Sequence, residues 1–481
     1  MSSMDTPASF SLSRLARRWS SHPFLITPQA TIAYGELIPR IHTLSRYLEQ
    51  AGISPKAPVA LWGNNSPLYL ITLLALWKIG AVAAPLSTRF PEARLPRLLG
   101  HIGSRQCLVL PGVPLDSPFP GIQTLPLPPD LFPSPPSTSL PEIDIPLSHD
   151  ATIIFTSGST GMPKAALHTL ANHYYSALGS NRNIPFGPGD RWLLALPLYH
   201  VGGLAILFRA LVGGGAVALP EPEMPLHEAI ERLKVTHLSL VATQLYRLLA
   251  EERGRQALSR LKALLVGGSA IPPALIREAI AAGVPLHTTY GCTEMASQVT
   301  TTPPGAPPEA LMTSGKVLPY RELKLAPDGE ILVRGQTRFR GYIEKGKLVQ
   351  PFDEEGWYAT GDIGRLDARG YLTVPGRKDH MFISGGENIH PEEIERALAE
   401  IPGVEQAVVV AVEHPEFGHR PVAFIRMAAG KPLSPTDLRT TLTRQLPRFK
   451  IPDRFFPWPE HHPPGIKPDR EFLRKLAGEY F

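Results

Sequence analysis

The chain has 481 residues, 43% of them hydrophobic and 19% charged, the balance of a globular protein long enough for two or three domains and a large core. A net charge of only +5 argues against nucleic acid as a partner and supports at most a mild preference for anionic small molecules. Two distant cysteines, Cys107 and Cys292, have no metal-ligand spacing and argue against a disulfide framework, so a reducing cytoplasm is the expected location.

The first twenty residues lack a long apolar core and a cleavage-like site, so no secretory leader is expected. Over 36–51, Leu37, Ile41, Leu44 and Leu48 recur at helical spacing. Pro39 falls in the first turn, where proline is tolerated, and Gly52 is the stop. PVALWGNN (58–65) reads as a buried strand ending in a polar turn. The apolar run 68–77 is broken by Lys78 and Gly80, too short to span a bilayer, and reads as a buried helix. Residues 111–148 hold 12 prolines in 38 positions and predict an extended surface connection.

TSGSTGMPK (156–164) follows a strand-like run and precedes a polar helical stretch. It is not a Walker A loop, but it uses the same physics: glycines let backbone amides approach oxygen, hydroxyls donate, and Lys164 supplies charge. The same composition also makes a plain turn. His200, in LPLYHVGGL, suits either a core or a site. HLSLVAT (237–243), LKALLVGG (261–268) and VPLHTTYG (284–291) each run apolar and break at a small or polar residue. Such alternation predicts α/β layers with ligand loops at the carboxyl ends of strands.

Tyr290-Gly291-Cys292-Thr293-Glu294 offers an aromatic plane, a hydroxyl and a carboxylate at a strand end. GEILVRG (329–335), WYATGDIG (357–364) and YLTVPGRKDH (371–380) predict short strands joined by glycine turns. Asp362 sits where a carboxylate can accept two hydroxyls. PEEIERALAE (391–400) is a helix with proline at its first position, and VEQAVVVAV (404–412) a strand. A C-terminal domain of roughly 100 residues is expected after Arg377. The division is 1–378 and 379–481. Lys467, in GIKPDR, reads alone as a solvated lysine.

The order of these stretches carries more than any one of them: TSGSTGMPK, LPLYHVGG, YGCTE, GEILVRG, ATGDIG, GRKDHMFISGGENIHPEEIE, GIKPDR. From about residue 20 onward the chain resembles the acyl-adenylate-forming superfamily of AMP-dependent acyl- and aryl-CoA ligases. NHYYSALGSN after the glycine loop, MASQVTT after YGCTE, and ISGGENIHPEEIE look most like its 2-succinylbenzoate–CoA ligase branch, of menaquinone and phylloquinone synthesis.

That resemblance implies an α/β fold: a large N-terminal domain of layered sheets with a small β-barrel-like part, and a mobile α+β C-terminal domain. It implies ATP, Mg²⁺ and CoA as co-substrates and cofactor, an aromatic carboxylic acid as substrate, and a homodimer as a common assembly. By motif match Thr156, Ser157, Gly158, Ser159, Thr160, Gly161 and Lys164 would cradle the β- and γ-phosphates. Tyr290, with Gly291, would stack on adenine, Thr293 would contact the α-phosphate, and Glu294 would hold Mg²⁺. Asp362 and Arg377 would bind the ribose; Gly267 and Gly268 would line the path to the acyl pocket, guarded by His200. Ser297 and Gln298 would contact the substrate's aromatic carboxylate. Lys467 would bridge the reacting carboxylate and the α-phosphate, Asp379 would be the hinge, and Gly385 and Gly386 would meet the pantetheine arm. Departures are Ser159 for the usual Thr, Ala165-Ala166 after Lys164, and Gly465-Ile466 before Lys467, with the spacing to Arg470 kept. A ligase for another aromatic or fatty acid, and an inactive nucleotide-binding relative, remain the alternative readings.

Overall fold

The computed structural model describes residues 7–90, 92–113, 119–129, 141–156, 162–384, 387–414, 417–462 and 468–480. Within them two large sheets, of eight and nine strands, carry the N-terminal two-thirds of the chain. In the first, Pro58–Trp62 lies parallel to Val82–Leu86 and to Gln106–Val109, and antiparallel strands Asp150–Thr156 and Lys164–Thr169 extend it. In the second, Arg191–Leu193, Ala216–Ala218, His237–Leu240, Ala263–Val266 and Leu286–Cys292 run parallel. Pro58–Trp62, Val82–Leu86, Ala216–Ala218 and Ala263–Val266 read as continuous apolar runs, as parallel strands with both faces covered do.

What covers them is a layer of helices shared by both sheets. Leu37–Gln50, Pro67–Ile79, Leu170–Asn183 and Val201–Gly213 join strands of each sheet in one apolar cluster. Helix Pro67–Ile79 is buried on all sides. Its Ser66 cap accepts from the Tyr69 amide at 3.1 Å, Pro67 opens it, and Gly80 ends it at φ +87°. Each of its buried leucines contributes about 1.5–3 kcal/mol by leaving water. The expected helix over 36–51 is found as Leu37–Gln50. No helix among the described residues is long and apolar enough to cross a membrane.

The run over 237–243 divides into strand His237–Leu240 and, after Val241 as its cap, helix Ala242–Leu249. One expectation shifts. The proline-rich stretch is not wholly a connection: Gln123–Pro126 pairs in parallel with Gln106–Val109 as the sheet's edge strand, a place where proline is tolerated.

Beyond the large sheets, four antiparallel strands, Arg321–Leu325, Glu330–Gly335, Tyr358–Leu366 and Leu372–Arg377, form the small β part. The C-terminal segment folds a five-stranded sheet, centred on Val404–His414 and Gly418–Met427, against helices Pro391–Ala399 and Arg470–Gly478.

Candidate active site

The site is organised on one hairpin, Leu286–Cys292 and Ser297–Thr301, joined by the single turn Thr293–Met295. Tyr290 donates its hydroxyl to Asp362 Oδ2 at 2.6 Å. Asp362 Oδ1 accepts from Arg377 Nη1 at 2.9 Å, and Arg377 turns Nε and Nη2 on both oxygens of Asp379 at 2.8 and 3.1 Å. One hydrogen-bonded chain thus joins Tyr290, Asp362, Arg377 and Asp379, the residues expected at adenine, ribose and hinge. Asp362 and Arg377 face each other because their strands pair in that register. Gly361 stands at φ +75°, where a Cβ would come 2.8 Å from Arg377 Nη2. Burial alone would lower the Arg377 pKa, but Asp379 and Asp362 hold it above its ordinary value. Burial, reinforced by Cys292 and Asp362, raises the Tyr290 phenol well above its own, so Tyr290 stays a neutral donor.

Across the turn, Glu294 Oε1 accepts from the Tyr342 hydroxyl at 2.5 Å, and the Tyr342 and Tyr358 hydroxyls lie 2.8 Å apart. Lys164 Nζ stands 5.0 Å from the Tyr342 ring centre. Lys164 also faces Thr156 in register, so this pair closes the base of the glycine loop. Residues 157–161 of that loop, together with Gly385, Gly386 and Lys467, lie outside the described residues. Arg470, three residues beyond Lys467, is anchored to Glu395 at 2.6 Å and to the Val409 carbonyl at 2.8 Å.

Gly267 and Gly268 follow strand Ala263–Val266. A Cβ on Gly267 would lie 2.5 Å from Thr289 Cγ2, so only glycine lets this strand end press against the residue before Tyr290. His200 caps helix Val201–Gly213, with its ring edge-on to Tyr199 at 4.7 Å.

Nine residues along that helix is a group sequence reading missed. Arg209 is 1% exposed within an otherwise apolar helix. Its Nε donates to Ser180 Oγ at 2.9 Å, and Nη2 donates to Gln298 Oε1 at 2.8 Å. Nη1 is buried with no hydrogen-bond partner among the described residues. Burial pushes its pKa down to about 9, with no carboxylate offsetting it. Arg321, also buried, donates Nη2 to Ser176 Oγ at 3.1 Å and Nε to the Gln298 carbonyl at 2.5 Å. Its pKa is likewise pushed down to about 9, by burial and then by Arg209. Gln298 is therefore held between two buried cations, its amide also donating to Thr301 Oγ1 at 2.7 Å. A buried cation with a vacant donor and no acid partner suits an arriving carboxylate. The signal available in the sequence was one arginine inside VGGLAILFRALVG.

Glu294 suits a divalent cation. It is a half-buried carboxylate on a turn, no ion pair among the described residues involves it, and Tyr342 occupies only one of its oxygens.

Comparison with known proteins agrees over nearly the whole chain. Residues 12–343 match the AMP-binding enzyme family, and 393–461 match the AMP-binding enzyme C-terminal domain. The 2-succinylbenzoate–CoA ligase of Salmonella typhimurium is 36% identical over 468 residues, covering 96% of this chain and 97% of that protein. The o-succinylbenzoate CoA synthetase (MenE) of Bacillus subtilis in complex with the acyl-adenylate OSB-AMP superposes with a TM-score of 0.85 at 29% identity, covering 96% and 97% of the two chains. The same enzyme in complex with ATP and magnesium ion gives 0.81 at 30% identity, covering 93% and 95%.

Proposed function

The chain belongs to the AMP-binding enzyme family, and from that premise we propose that it joins 2-succinylbenzoate to CoA, in the cytoplasm, through an acyl-AMP intermediate. In the first half-reaction a carboxylate oxygen attacks the α-phosphorus of ATP and pyrophosphate leaves. In the second the CoA sulfur attacks the acyl carbon, AMP leaves, and the thiol proton passes to solvent. The observation that carries this reading is the convergence on one hairpin of the nucleotide set Tyr290, Thr293 and Glu294 with Gln298, the partner of Arg209, a buried cation with no acid partner among the described residues.

Except at Arg209, the roles in this reading are those the resemblance implies, and that convergence supports them. Tyr290 stacks on adenine, its ring held by Asp362. Asp362 and Arg377 meet the ribose hydroxyls. Thr156, Lys164 and the loop between them take the β- and γ-phosphates. Thr293 donates to the α-phosphate. Glu294 holds Mg²⁺, which when bound neutralises phosphate charge. Lys467 bridges the succinyl-arm carboxylate and the α-phosphate, where negative charge grows. Arg209, supported by Gln298, receives the ring carboxylate. Purified protein given ATP, Mg²⁺, CoA and 2-succinylbenzoate should form AMP, pyrophosphate and CoA thioester in equal amounts. AMP and pyrophosphate without thioester would restrict the chain to adenylation.

Tyr342 tests the metal assignment. It holds Glu294 Oε1 and leaves the other oxygen for the ion. Tyr342→Phe should raise the Mg²⁺ concentration for half-maximal adenylation about tenfold, with the rate at saturating Mg²⁺ little changed. An unchanged Mg²⁺ titration would remove Glu294 as the ligand.

Asp379 tests the hinge between the domains 1–378 and 379–481. Its carboxylate is paired with Arg377, so two variants are needed. Asp379→Ala breaks the ion pair only, whereas Asp379→Pro also fixes φ. The proline variant should keep adenylation within about threefold and lose thioester formation by more than about tenfold, as expected if a few backbone angles absorb the domain motion. Equal behaviour of the two variants in the thioester step would take the hinge elsewhere.

A further inference from the structure

The turn that carries Thr293 and Glu294 is strained. Ala296 stands at φ +52° and Ser297 at φ +126°, two consecutive non-glycine residues in left-handed backbone. Such conformations are costly for a residue with a Cβ and persist only where surrounding contacts over-determine them. Those contacts are on view. Phe339 donates its amide to the Glu294 carbonyl at 2.8 Å, Ser176 Oγ donates to the Ala296 carbonyl at 2.9 Å, and Tyr342 holds the Glu294 carboxylate.

The contact nearest Thr293 comes from the glycine-loop strand. His168, in strand Lys164–Thr169, is fully buried, and its Nε2 lies 2.7 Å from the Thr293 carbonyl oxygen. A carbonyl only accepts, so Nε2 carries the proton. Burial pushes the His168 pKa down to about 4, so the ring is neutral and this tautomer is fixed by its one strong partner. The ring is braced by His173 at 5.0 Å and Phe339 at 6.2 Å between centroids. The same Thr293 carbonyl accepts the Ala296 amide at 3.0 Å, the bond that closes the turn. Among the described residues the Thr293 hydroxyl makes no hydrogen bond, and the backbone of the turn sets where it projects from.

We propose that His168 is a positioning residue for adenylation: by holding the Thr293 carbonyl from the strand that leaves the glycine loop, it aims the Thr293 hydroxyl at the α-phosphate and locks the two phosphate-binding segments to each other. The inference rests on the role assigned above to Thr293. A displacement of about 1 Å at such a point costs on the order of 10²-fold in rate, whereas binding by the remaining phosphate contacts changes little.

The test is pyrophosphate release without CoA, measured as kcat and as KM for ATP. His168→Phe keeps the ring volume and removes the donor; His168→Gln keeps a donor where Nε2 stands. The phenylalanine variant should lose about 10- to 50-fold in kcat with KM for ATP within about threefold, and the glutamine variant should recover to within about threefold of wild type. Where His168→Phe does not fold by thermal melting, His168→Asn, whose amide falls short of the carbonyl, takes its place with the same expectation. A glutamine variant as slow as the phenylalanine one would show a packing role only and overturn the proposal. So would a phenylalanine variant at wild-type rate. Thr293→Ala, run alongside, separates the layers. If it is as fast as wild type, the Thr293 role and the proposal both fall. If it is slow while His168→Phe is unimpaired, the positioning role alone falls.

Discussion

Lys467→Ala loses adenylate formation by about 10²- to 10³-fold while thioester formation from supplied acyl-AMP stays within about threefold of wild type. The first half-reaction brings a carboxylate against a triphosphate, and the new charge appears on oxygens shared between them. A preorganised cation stabilises that transition state far more than it stabilises either anion alone. Once acyl-AMP exists, this need has passed, and the thioester step depends on presenting the thiol. Arg470, three residues beyond Lys467 in sequence, is anchored to Glu395 and to the Val409 carbonyl. Half-reaction assays separate the two steps. Equal loss in both would make Lys467 a general binding residue or a fold requirement, not an adenylation cation.

Arg209→Met is expected to lower kcat/KM for 2-succinylbenzoate by about 10²- to 10³-fold, since truncating one partner of a buried charge pair costs about 2–5 kcal/mol. The same variant should handle 4-oxo-4-phenylbutanoate, which keeps the succinyl arm and lacks the ring carboxylate, within about threefold of wild type. Its folding stability should change by less than about 2 kcal/mol. A buried guanidinium without an acid partner contributes little net stability, and methionine fills much of its volume over Trp192, now 4.5 Å from the guanidinium carbon. Competition between the two acids reads the first effect and thermal melting the second. Parallel loss for both acids would move Arg209 from substrate recognition to architecture.

The residues legible in the sequence were those whose chemistry is local. Tyr290, Thr293 and Glu294 sit in one pentapeptide, and Asp362 and Arg377 each follow a glycine on two paired strands that set them face to face. Their motif order carried both the fold and the reaction. Arg209 and His168 were not legible, because each acquires meaning only from a distant partner. Gln298 lies 89 positions from Arg209, and the Thr293 carbonyl 125 positions from His168. In sequence, an arginine in an apolar helix reads as a snorkelling side chain, and a histidine in KAALHT as one polar residue of a strand. Tyr342 escaped for the same reason: GYIE reads as an edge strand, and its hydroxyl finds Glu294 only in three dimensions.

The acid this enzyme activates is read from kcat/KM for pyrophosphate release with ATP, Mg²⁺ and CoA. The acids to compare are 2-succinylbenzoate, 4-oxo-4-phenylbutanoate, benzoate, 4-coumarate and a medium-chain fatty acid. The Arg209–Gln298 pair predicts that 2-succinylbenzoate leads every other acid by at least about 100-fold, with its CoA thioester as product. Faster turnover of any acid lacking a ring carboxylate would rule out 2-succinylbenzoate as the substrate that Arg209 selects.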